Sequence, residues 1–560
     1  MKKLGLQIVG VWVVLTMLVG SLVTCGPTPT PQVAAEATAT PEPVDKVVTF
    51  AWTQEPDSLN PWYTDMWFSG LLQQLYLCWA WEFDENNVAF PRLVTELPSP
   101  ANGGVSADGR VITMNLRDDI VWSDGTPITS ADFVFTYNMI MDGGNAVDSQ
   151  YPYDMVESIE APDERTVVIT FTEPYTPWQA QLWRGLLPKH VLEPVFTEKA
   201  SIQEAEWNRA PTVGCGPFVF AEWQSGNYLR FVKNEKYWLG APKLDDVYFK
   251  FVDDASQTAA LIAGDADIGT FPPLSDVPSL QEAGLTVMVQ SSGYQEGLFF
   301  NFREMANPGA RDLRVRQAVA MAIDREAINR DLLLGLSRPV ETFWDGLAAA
   351  GYVPSDIVPW KYDPEAAKAL LEEAGWTDTN GDGLRENAAG EPLTLVHGTT
   401  VREIRQDIQA VLQQQLKAVG IDLQLVAEES DLFFGSFSDG AACAVGSVDM
   451  MEWSDSPLVP DPDTDYWLCA QVPSAENDWG YNYFGCDETL DGLFQQQLVA
   501  IDPAVRAPIV QQIAKYIHDQ VYWYGLYDDP DYWIVGPRLT NVRFSGVTPF
   551  FSIAEWDVTE

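Results

Sequence analysis

Carboxylates are the most abundant side chains able to do chemistry in this chain, with 80 aspartates and glutamates among 560 residues. Two carboxylates on either side of a substrate bond can act as general acid and general base, as in glycoside hydrolysis. Because 80 acidic residues make such pairs common by chance, a secreted carboxylate-based hydrolase is only an alternative interpretation.

Histidines are scarce by comparison. The sequence has three, His190, His397 and His518, and they lie far apart in the chain. It contains no His-Glu-x-x-His, Gly-x-Ser-x-Gly, Walker or Cys-x-x-Cys motif. The common zinc, serine-triad, nucleotide and redox chemistries are therefore not indicated, and we expect neither enzymatic activity nor an organic cofactor.

One short segment has part of a metal-binding pattern. Asp378, Asn380 and Asp382 have the spacing of the first oxygen ligands in an EF-hand calcium loop. Glu386 occupies the ninth position, but the twelfth is Ala389 instead of the bidentate glutamate that completes such a loop. A polar hairpin turn built from Asn-Gly and Asp-Gly pairs explains the same residues, so calcium and a plain turn stay open as alternatives.

The charge of the chain excludes one class of partner. Its net charge is −47 and its pI is near 4.1. A strongly acidic protein repels phosphate backbones and anionic lipid headgroups, so we expect no nucleic acid partner. A solvated acidic surface explains the charge, and a field that attracts cationic ligands is the alternative.

The N-terminal segment has the composition of an export and tethering region. Two lysines and an almost unbroken apolar run open the chain, which predicts a signal peptide over 1–25. The run is also near the length of a membrane-spanning helix. Residues 26–45 are rich in Pro, Thr and Ala and predict a flexible stalk. Leu22–Cys25 resembles a bacterial lipobox, which implies that Cys25 carries a lipid anchor outside the cytoplasmic membrane, in the periplasm or at the cell surface.

A stretch in the first third of the chain predicts a strand, a turn and a helix in that order. Val111–Arg117 alternates apolar and polar side chains, as a half-buried strand does. Trp122 and Gly125 suit a tight turn with an apolar anchor. Thr129 or Ser130 can then cap a helix with apolar residues at helical spacing.

The order of these residues resembles the signature of the family 5 extracellular solute-binding proteins, which serve peptide- and nickel-type ABC importers. The residues that match are Leu116–Arg117 and Trp122–Phe133, and weaker resemblance extends from about Val47 to Phe551. The resemblance implies an α/β, two-lobed, periplasmic-binding-protein-like fold of the large class, in which two crossovers act as a hinge and ligand is enclosed between the lobes.

The resemblance also implies the domain organisation. The expected parts are lobe I over 46–292, an extra subdomain within it over about 79–209, lobe II over 293–526, and a return to lobe I over 527–560. The crossovers are predicted near Ser291–Gly297 and Tyr524–Asp529. Gly293 and Gly297 can relieve backbone strain at the first of them.

The function implied by the resemblance is capture of a solute and its delivery to a membrane permease that an ATPase drives. We expect a peptide as the solute, no covalent chemistry and a monomeric protein. An oligosaccharide is the alternative solute, because the 21 tryptophans of the chain suit sugar rings as well as peptide side chains. A surface sensor or adhesin with the same fold but without a permease is a third interpretation.

Five residues are candidates for contact with the solute. In peptide-binding relatives a Trp at a strand end is followed by an Asp that holds the ligand's ammonium group, and Trp453 and Asp455 resemble that pair. A carboxylate in a closed, dry cleft would give a strong charge-assisted hydrogen bond, although a loop Asp that caps a turn explains Asp455 equally well. Arg402 resembles the residue that meets a peptide carboxylate. Glu55 follows the first strand, and Tyr294 lies in the first predicted crossover.

Six cysteines complete the set of reactive side chains. With Cys25 assigned to the lipid anchor, five remain, and export permits disulfides among them. Dipeptide-binding relatives have a cystine at a place similar to Cys469 and Cys486, so the resemblance implies that these two are bonded. The sequence leaves the state of the other three open: Cys78, Cys215 and Cys443.

Overall fold

Strands and helices alternate along most of this computed structural model, as an α/β sequence pattern predicts. The structure describes residues 45–559 apart from positions 65, 347–350, 456–460 and 463–466. The predicted signal peptide with its lipid-anchor residue Cys25, and the predicted stalk up to residue 44, lie outside the described residues.

The strands are β1 (Val47–Trp52), β2 (Trp81–Phe83), β3 (Ala89–Pro91), β4 (Val111–Asn115), β5 (Val156–Asp163), β6 (Thr166–Phe171), β7 (Phe218–Gln224), β8 (Tyr228–Lys233), β9 (Asp246–Phe251), β10 (Ile268–Thr270), β11 (Thr286–Phe300), β12 (Thr394–Thr400), β13 (Asp422–Glu428), β14 (Met450–Asp455), β15 (Trp523–Val535), β16 (Leu539–Thr540) and β17 (Asp557–Val558). The helices are α1 (Trp67–Tyr76), α2 (Ser130–Met141), α3 (Trp178–Gln181), α4 (Lys189–Lys199), α5 (Asp254–Ala263), α6 (Val277–Glu282), α7 (Pro308–Arg311), α8 (Leu313–Ala322), α9 (Arg325–Asp331), α10 (Pro364–Glu373), α11 (Glu403–Lys417), α12 (Ser430–Phe433), α13 (Ala442–Val445), α14 (Glu488–Leu498) and α15 (Pro503–Gln520).

One ten-stranded sheet runs through both lobes, in the order β13-β12-β14-β11-β15-β10-β1-β9-β8-β7. Lobe I contributes β1 and β7–β10, and lobe II contributes β12–β14. The long strands β11 and β15 pair antiparallel in the middle, from Thr286 opposite Val535 in lobe I to Phe299 opposite Trp523 in lobe II. The chain therefore has the two-lobed periplasmic-binding-protein-like fold, with β11 and β15 as its crossovers.

The sequence of β1 explains its central place in lobe I. Its residues are mostly apolar and β-branched or aromatic, which suits a strand that is covered on both faces. Phe50 and Trp52 have no exposed surface, and Phe50 stacks on Phe249 of β9 with ring centroids 4.4 Å apart. Parallel pairing of β1 with β9 and β10 builds the core of this lobe.

The structure contains the strand, turn and capped helix predicted from the signature stretch. Strand β4 pairs with β6 in the three-stranded sheet β4-β6-β5 of the subdomain. Trp122 is completely buried, and Gly125 has the positive φ of 96° that the turn requires. Asp132 accepts a hydrogen bond from the backbone N–H of Thr129 at 2.9 Å, which closes a capping box at the start of α2.

The first crossover is part of a long strand. Strand β11 begins at Thr286 and ends at Phe300, so it contains the segment Ser291–Gly297 in which the first crossover was predicted. Polar residues and glycines interrupt its amphipathic pattern, but pairing with β15 keeps it extended. The pairing register shifts between Ser291 and Gln295, where Gly293 has a φ of 82°. The residue-level bounds of the lobes stay predictions.

Two disulfides are present among the described residues. Cys469 is bonded to Cys486, the pair that the resemblance implies, and Cys78 is bonded to Cys215. Cys443 is a buried free thiol. Within the described part of the chain, no helix is both long enough and apolar enough to cross a membrane.

Candidate functional site

The carboxyl ends of the parallel strands in the two lobes face each other. Strands β1 and β10 run in the same direction as β11, which passes from lobe I into lobe II, whereas β12 and β14 run in the direction of β15, back towards lobe I. Loops that follow the carboxyl ends of parallel strands are the usual place for ligands in open α/β sheets. The cleft between these ends, beside the crossovers, is therefore the candidate site.

Asp455 is the last residue of β14 and lies at this cleft. It accepts a hydrogen bond at 3.2 Å from the indole N–H of Trp453. The ring of Trp453 is 7% exposed and stacks on Phe299, with centroids 4.1 Å apart, in the core of lobe II. Trp453 thus positions Asp455, and direct contact of either residue with a solute stays a prediction.

Arg402 lies two residues beyond the end of β12, the parallel neighbour of β14. Its guanidinium contacts Asp529 of the second crossover at 3.0 and 3.4 Å, and Glu296 of the first at 3.7 Å. The side chain is 47% exposed, so part of it remains open to the cleft. Its role as a carboxylate anchor stays a prediction.

A buried ion pair between Arg405 and Glu296 supports the position of Arg402. Arg405, in the first turn of α11, donates to both carboxylate oxygens of Glu296, at 2.9 and 3.0 Å, and to Thr400 at 2.8 Å. Glu296 has no exposed surface. The bidentate pair neutralises the buried carboxylate of Glu296. Arg402 contacts Glu296 on the first crossover and Asp529 on the second, so both crossovers and α11 fix its position.

Glu55 is held by lobe I itself. Its carboxylate accepts hydrogen bonds from the indole N–H of Trp223 at 2.7 Å and from the backbone N–H of Gly226 at 2.9 Å. Burial opposes the shift, but these bonds, with one from Ser225, lower the pKa of Glu55. The structure therefore ties Glu55 to the turn between β7 and β8, and a contact with solute stays a prediction.

Tyr294 is 48% exposed in the irregular part of the first crossover, and it lies close to a residue that sequence reasoning missed. That residue is Arg184, in the loop between α3 and α4 of the subdomain. Burial lowers the pKa of Arg184, and the nearby tyrosines Tyr153, Tyr294 and Tyr175 oppose that shift. The sequence around it matches no motif, so no pattern distinguished it from other arginines.

Arg184 has few partners for a guanidinium with five N–H donors. It donates to the carbonyl oxygen of Ala180 and lies 5.6 Å from the ring of Trp79. No described carboxylate lies within ion-pair distance of it. Trp183, the residue before Arg184, has a positive φ of 60°, which is strain of the kind often found at functional sites. Gly185, the residue after it, has a φ of 82°, which glycine adopts without strain.

A cavity of about 420 Å³ lies between the subdomain and lobe II. Leu97, Tyr175 and Trp178 line it from one side, and Tyr352 and Ile501 from the other. None of the five candidate residues lines this cavity, so the cavity is an apolar space separate from the residues predicted to contact the solute.

The predicted calcium segment brings three carboxylates together. Ligand atoms of Asp378, Asp382 and Glu386 lie within 4.8 Å of one another. Asn380 presents its amide nitrogen to this group, because it donates to Glu386 at 2.8 Å and to Asp382 at 3.1 Å. The amide oxygen of Asn380 instead accepts from the backbone N–H of Asp382. Calcium binding at Asp378, Asn380 and Asp382 stays a prediction.

Comparison with known families gives one match over most of the chain. Residues 90–476 match the bacterial extracellular solute-binding proteins, family 5, middle region. Among curated proteins, the oligopeptide-binding protein AppA of Bacillus subtilis is 29% identical over 337 residues, which cover 58% of this chain. The chain spans 58% of the length of that relative.

Solved structures agree on the fold. The oligopeptide-binding protein AppA from Bacillus subtilis in complex with a nonapeptide aligns with a TM-score of 0.65 and 24% identity, over 92% of this chain and 100% of that one. NikA from Brucella suis in complex with Fe(III)-EDTA aligns with a TM-score of 0.75 and 21% identity, over the same two shares. At these identities the likeness establishes the fold alone.

Proposed function

The chain belongs to the bacterial extracellular solute-binding proteins of family 5, and we propose that it captures a peptide between its two lobes and delivers it to the permease of an ABC importer. The protein is a binding component without covalent chemistry. Its partners are the permease and ATPase subunits, it acts as a monomer, and a lipid on Cys25 holds it outside the cytoplasmic membrane.

The observation that carries this proposal is a pair of opposite charges at adjoining strand ends. Arg402 follows β12 and Asp455 ends β14, and these two strands are parallel neighbours in the sheet. A peptide has an ammonium group at one end and a carboxylate at the other, so it complements this pair. Arg184 of the subdomain offers a second cation for a carboxylate.

The nonapeptide in the AppA structure supports a peptide as the solute class, since that protein shares the fold. The 420 Å³ cavity between the subdomain and lobe II offers an apolar space that suits a solute with apolar side groups.

Mass spectrometry of ligand carried through native purification is the first test. We expect peptides. If none are found, and calorimetry shows no binding to a peptide library, the proposal is contradicted.

The substitution Asp455→Asn should weaken binding of a free-amine peptide by about 1.5–3 kcal/mol, the range for hydrogen bonds to charged groups. Binding of the N-acetylated peptide should stay nearly unchanged.

An anionic metal chelate is the second candidate solute, because Arg184 has no carboxylate partner in the described chain and a structural relative, NikA from Brucella suis, was solved with Fe(III)-EDTA. The same mass spectra separate the two, since a chelate carries a metal isotope pattern. Release of reducing sugar or shortened peptide on incubation would instead favour the hydrolase alternative.

A further inference from the structure

Two aromatic rings are left partly exposed where the parallel strands of lobe I end at the cleft. Phe271 directly follows β10, and Trp67 is the first residue of α1, the helix that comes after β1. The carboxyl ends of β1 and β10 point towards lobe II, so Phe271 lies on the lobe I wall of the cleft. Trp67 lies beside it, with ring centroids 5.5 Å apart. Trp67 is 40% exposed and Phe271 is 38% exposed.

The backbone at Phe271 is strained. Its φ is 50°, in the left-handed region where a bulky side chain is rarely found. The neighbouring strand holds it there, since the backbone N–H of Phe271 donates to the carbonyl oxygen of Tyr532 on β15 at 3.4 Å. Strain of this kind is concentrated at ligand sites. A large ring kept in an unfavourable conformation without being buried indicates a role other than core packing.

The two rings have firm support on their inner side. Trp67 stacks with Trp52 and Trp533, with ring centroids 6.3 and 6.5 Å apart, and neither of those two rings has exposed surface. Both belong to the hydrophobic core of lobe I. Phe271 meets the ring of Tyr532 edge to face at 5.5 Å. The exposed pair is therefore the outer edge of an ordered aromatic cluster, which loses little freedom when a ligand contacts it.

This aromatic cluster adjoins the charged residues of the crossovers. The hydroxyl of Tyr532 lies near enough to Arg402 and Asp529 for both charges to act on it. Val289, directly opposite Tyr532 on β11, is 38% exposed and adds apolar surface. A solute whose charged end reaches Arg402 therefore has apolar and aromatic surface of lobe I beside it.

We propose that Trp67 and Phe271 form an aromatic subsite on lobe I that takes an aromatic side chain of the solute. This rests on the proposed function and specifies its solute as a peptide with an aromatic residue. The two rings are inclined at 55° to each other. A third ring can therefore stack on one of them and meet the other edge to face, the two arrangements that aromatic pairs prefer. A saturated ring of similar size fills the same space but lacks the charge distribution that favours these arrangements.

The test uses three pools of short peptides, matched in length and charge, in which one position is phenylalanine, cyclohexylalanine or alanine. Affinity selection on the full-length protein is read by mass spectrometry. The phenylalanine pool should be retained about two- to tenfold better than the cyclohexylalanine pool, and at least about tenfold better than the alanine pool. Equal retention of the phenylalanine and cyclohexylalanine pools would overturn the proposal while leaving peptide capture intact. No retention from any pool would overturn the proposed function, and this inference with it.

Variants separate contact with the solute from general stability. Phe271→Leu keeps an apolar side chain and removes the ring, so retention of the phenylalanine pool should fall to about that of the cyclohexylalanine pool, with the alanine pool unchanged. Phe271→Tyr keeps the ring and should keep the preference. Tyr362→Leu removes a ring that is 51% exposed beside α10 of lobe II, and as the matched control it should change no pool. Equal losses for all three pools in Phe271→Leu would show that the ring supports the contact between the lobes, and would contradict the proposal.

A second variant keeps the proposal testable if Phe271→Leu does not fold. Trp67→Leu removes the other ring, and leucine is a favourable residue in a helix such as α1. It should lower the preference for phenylalanine over cyclohexylalanine by at least about twofold. An unchanged preference in a folded Trp67→Leu protein would exclude Trp67 from the subsite and overturn the proposal.

Discussion

Glu452 and His397 lie 3.2 Å apart in the interior of lobe II, and neither side chain has any exposed surface. Thr399 of β12 is the register partner of Glu452 on β14, which places His397 diagonally beside it. Burial raises the pKa of Glu452 to about 8, against the opposing effect of Arg405 and Arg402, and it lowers the pKa of His397 to about 3. Near neutral pH the pair is therefore uncharged, with the carboxyl group protonated.

The stability of the protein should fall as pH rises because of Glu452. An acid whose pKa is raised in the folded state binds its proton more tightly there, so the free energy of unfolding decreases between the ordinary pKa of 4.5 and the folded value of about 8. Glu452→Gln imitates the protonated form. From pH 6.5 to pH 8 its unfolding free energy should gain about 1.6 kcal/mol relative to the wild type.

Urea denaturation followed by tryptophan fluorescence at several pH values measures this difference. The pH dependence of stability contributed by His397 has the opposite sign, since its lowered pKa makes stability fall as the pH drops below about 6.5. For that reason the comparison is confined to higher pH. Glu365→Gln, on the exposed face of α10 where the side chain is 81% exposed, is the control. A constant difference between Glu452→Gln and wild type across this range would show that Glu452 is ionised throughout.

Removal of Arg405 should destabilise the protein more than removal of both members of its ion pair. Arg405→Met leaves the fully buried Glu296 without its bidentate partner, which typically costs about 3–5 kcal/mol. The double variant Arg405→Met/Glu296→Gln should recover most of that loss, because no buried charge remains. Chemical denaturation measures both. Arg330→Met breaks an exposed pair with Asp331 and should change stability by less than about 0.5 kcal/mol.

The two disulfides should differ in their contribution to stability. Cys78 and Cys215 are 137 positions apart, and Cys469 and Cys486 are 17 apart. In the chain-entropy model the shorter loop contributes about 3 kcal/mol and the longer about 5 kcal/mol. Guanidinium denaturation of the two double Cys→Ser variants should therefore show the larger loss for the Cys78–Cys215 pair. Equal losses, or the reverse order, would show that strain or residual structure outweighs loop entropy.

Local sequence patterns predicted the parts of the fold that depend on neighbouring residues. The strand predicted at Val111–Arg117 and the helix cap predicted at Thr129 or Ser130 were recognisable from residues within one strand or one turn. The placement of Asp455 at a strand end came from family resemblance together with the run of apolar residues before it. These signals are short in range, and they were sufficient for fold class and for the location of the cleft.

The polar arrangements within the cleft were not predictable in this way. Gln295 meets Asp528 through pairing of segments 233 positions apart, and Arg402 meets Asp529 across 127. Their partnership depends on strand register, which is fixed by the whole sheet and by the irregularity at Gly293. Arg184 was missed for a related reason, since its contacts with Ala180 and Trp79, with no carboxylate partner in the part of the chain that the structure describes, depend on its surroundings in the folded chain.

Arg184 should contribute more to binding of a peptide carboxylate than Arg402. Arg402 already contacts Asp529 and Glu296, so a solute carboxylate there competes with two others. Among the described residues, Arg184 contacts a carbonyl oxygen and an aromatic ring, and burial disfavours its charge, which a carboxylate would stabilise. Arg184→Met should weaken binding of a free-acid peptide by about 1.5–3 kcal/mol. Arg402→Met should weaken binding of the same peptide by less.

In calorimetry, the C-terminally amidated peptide should bind wild type and Arg184→Met with similar affinity. A loss of the same size for acid and amide would show that Arg184 only supports the loop between Trp183 and Gly185, and would leave Arg402 as the carboxylate anchor.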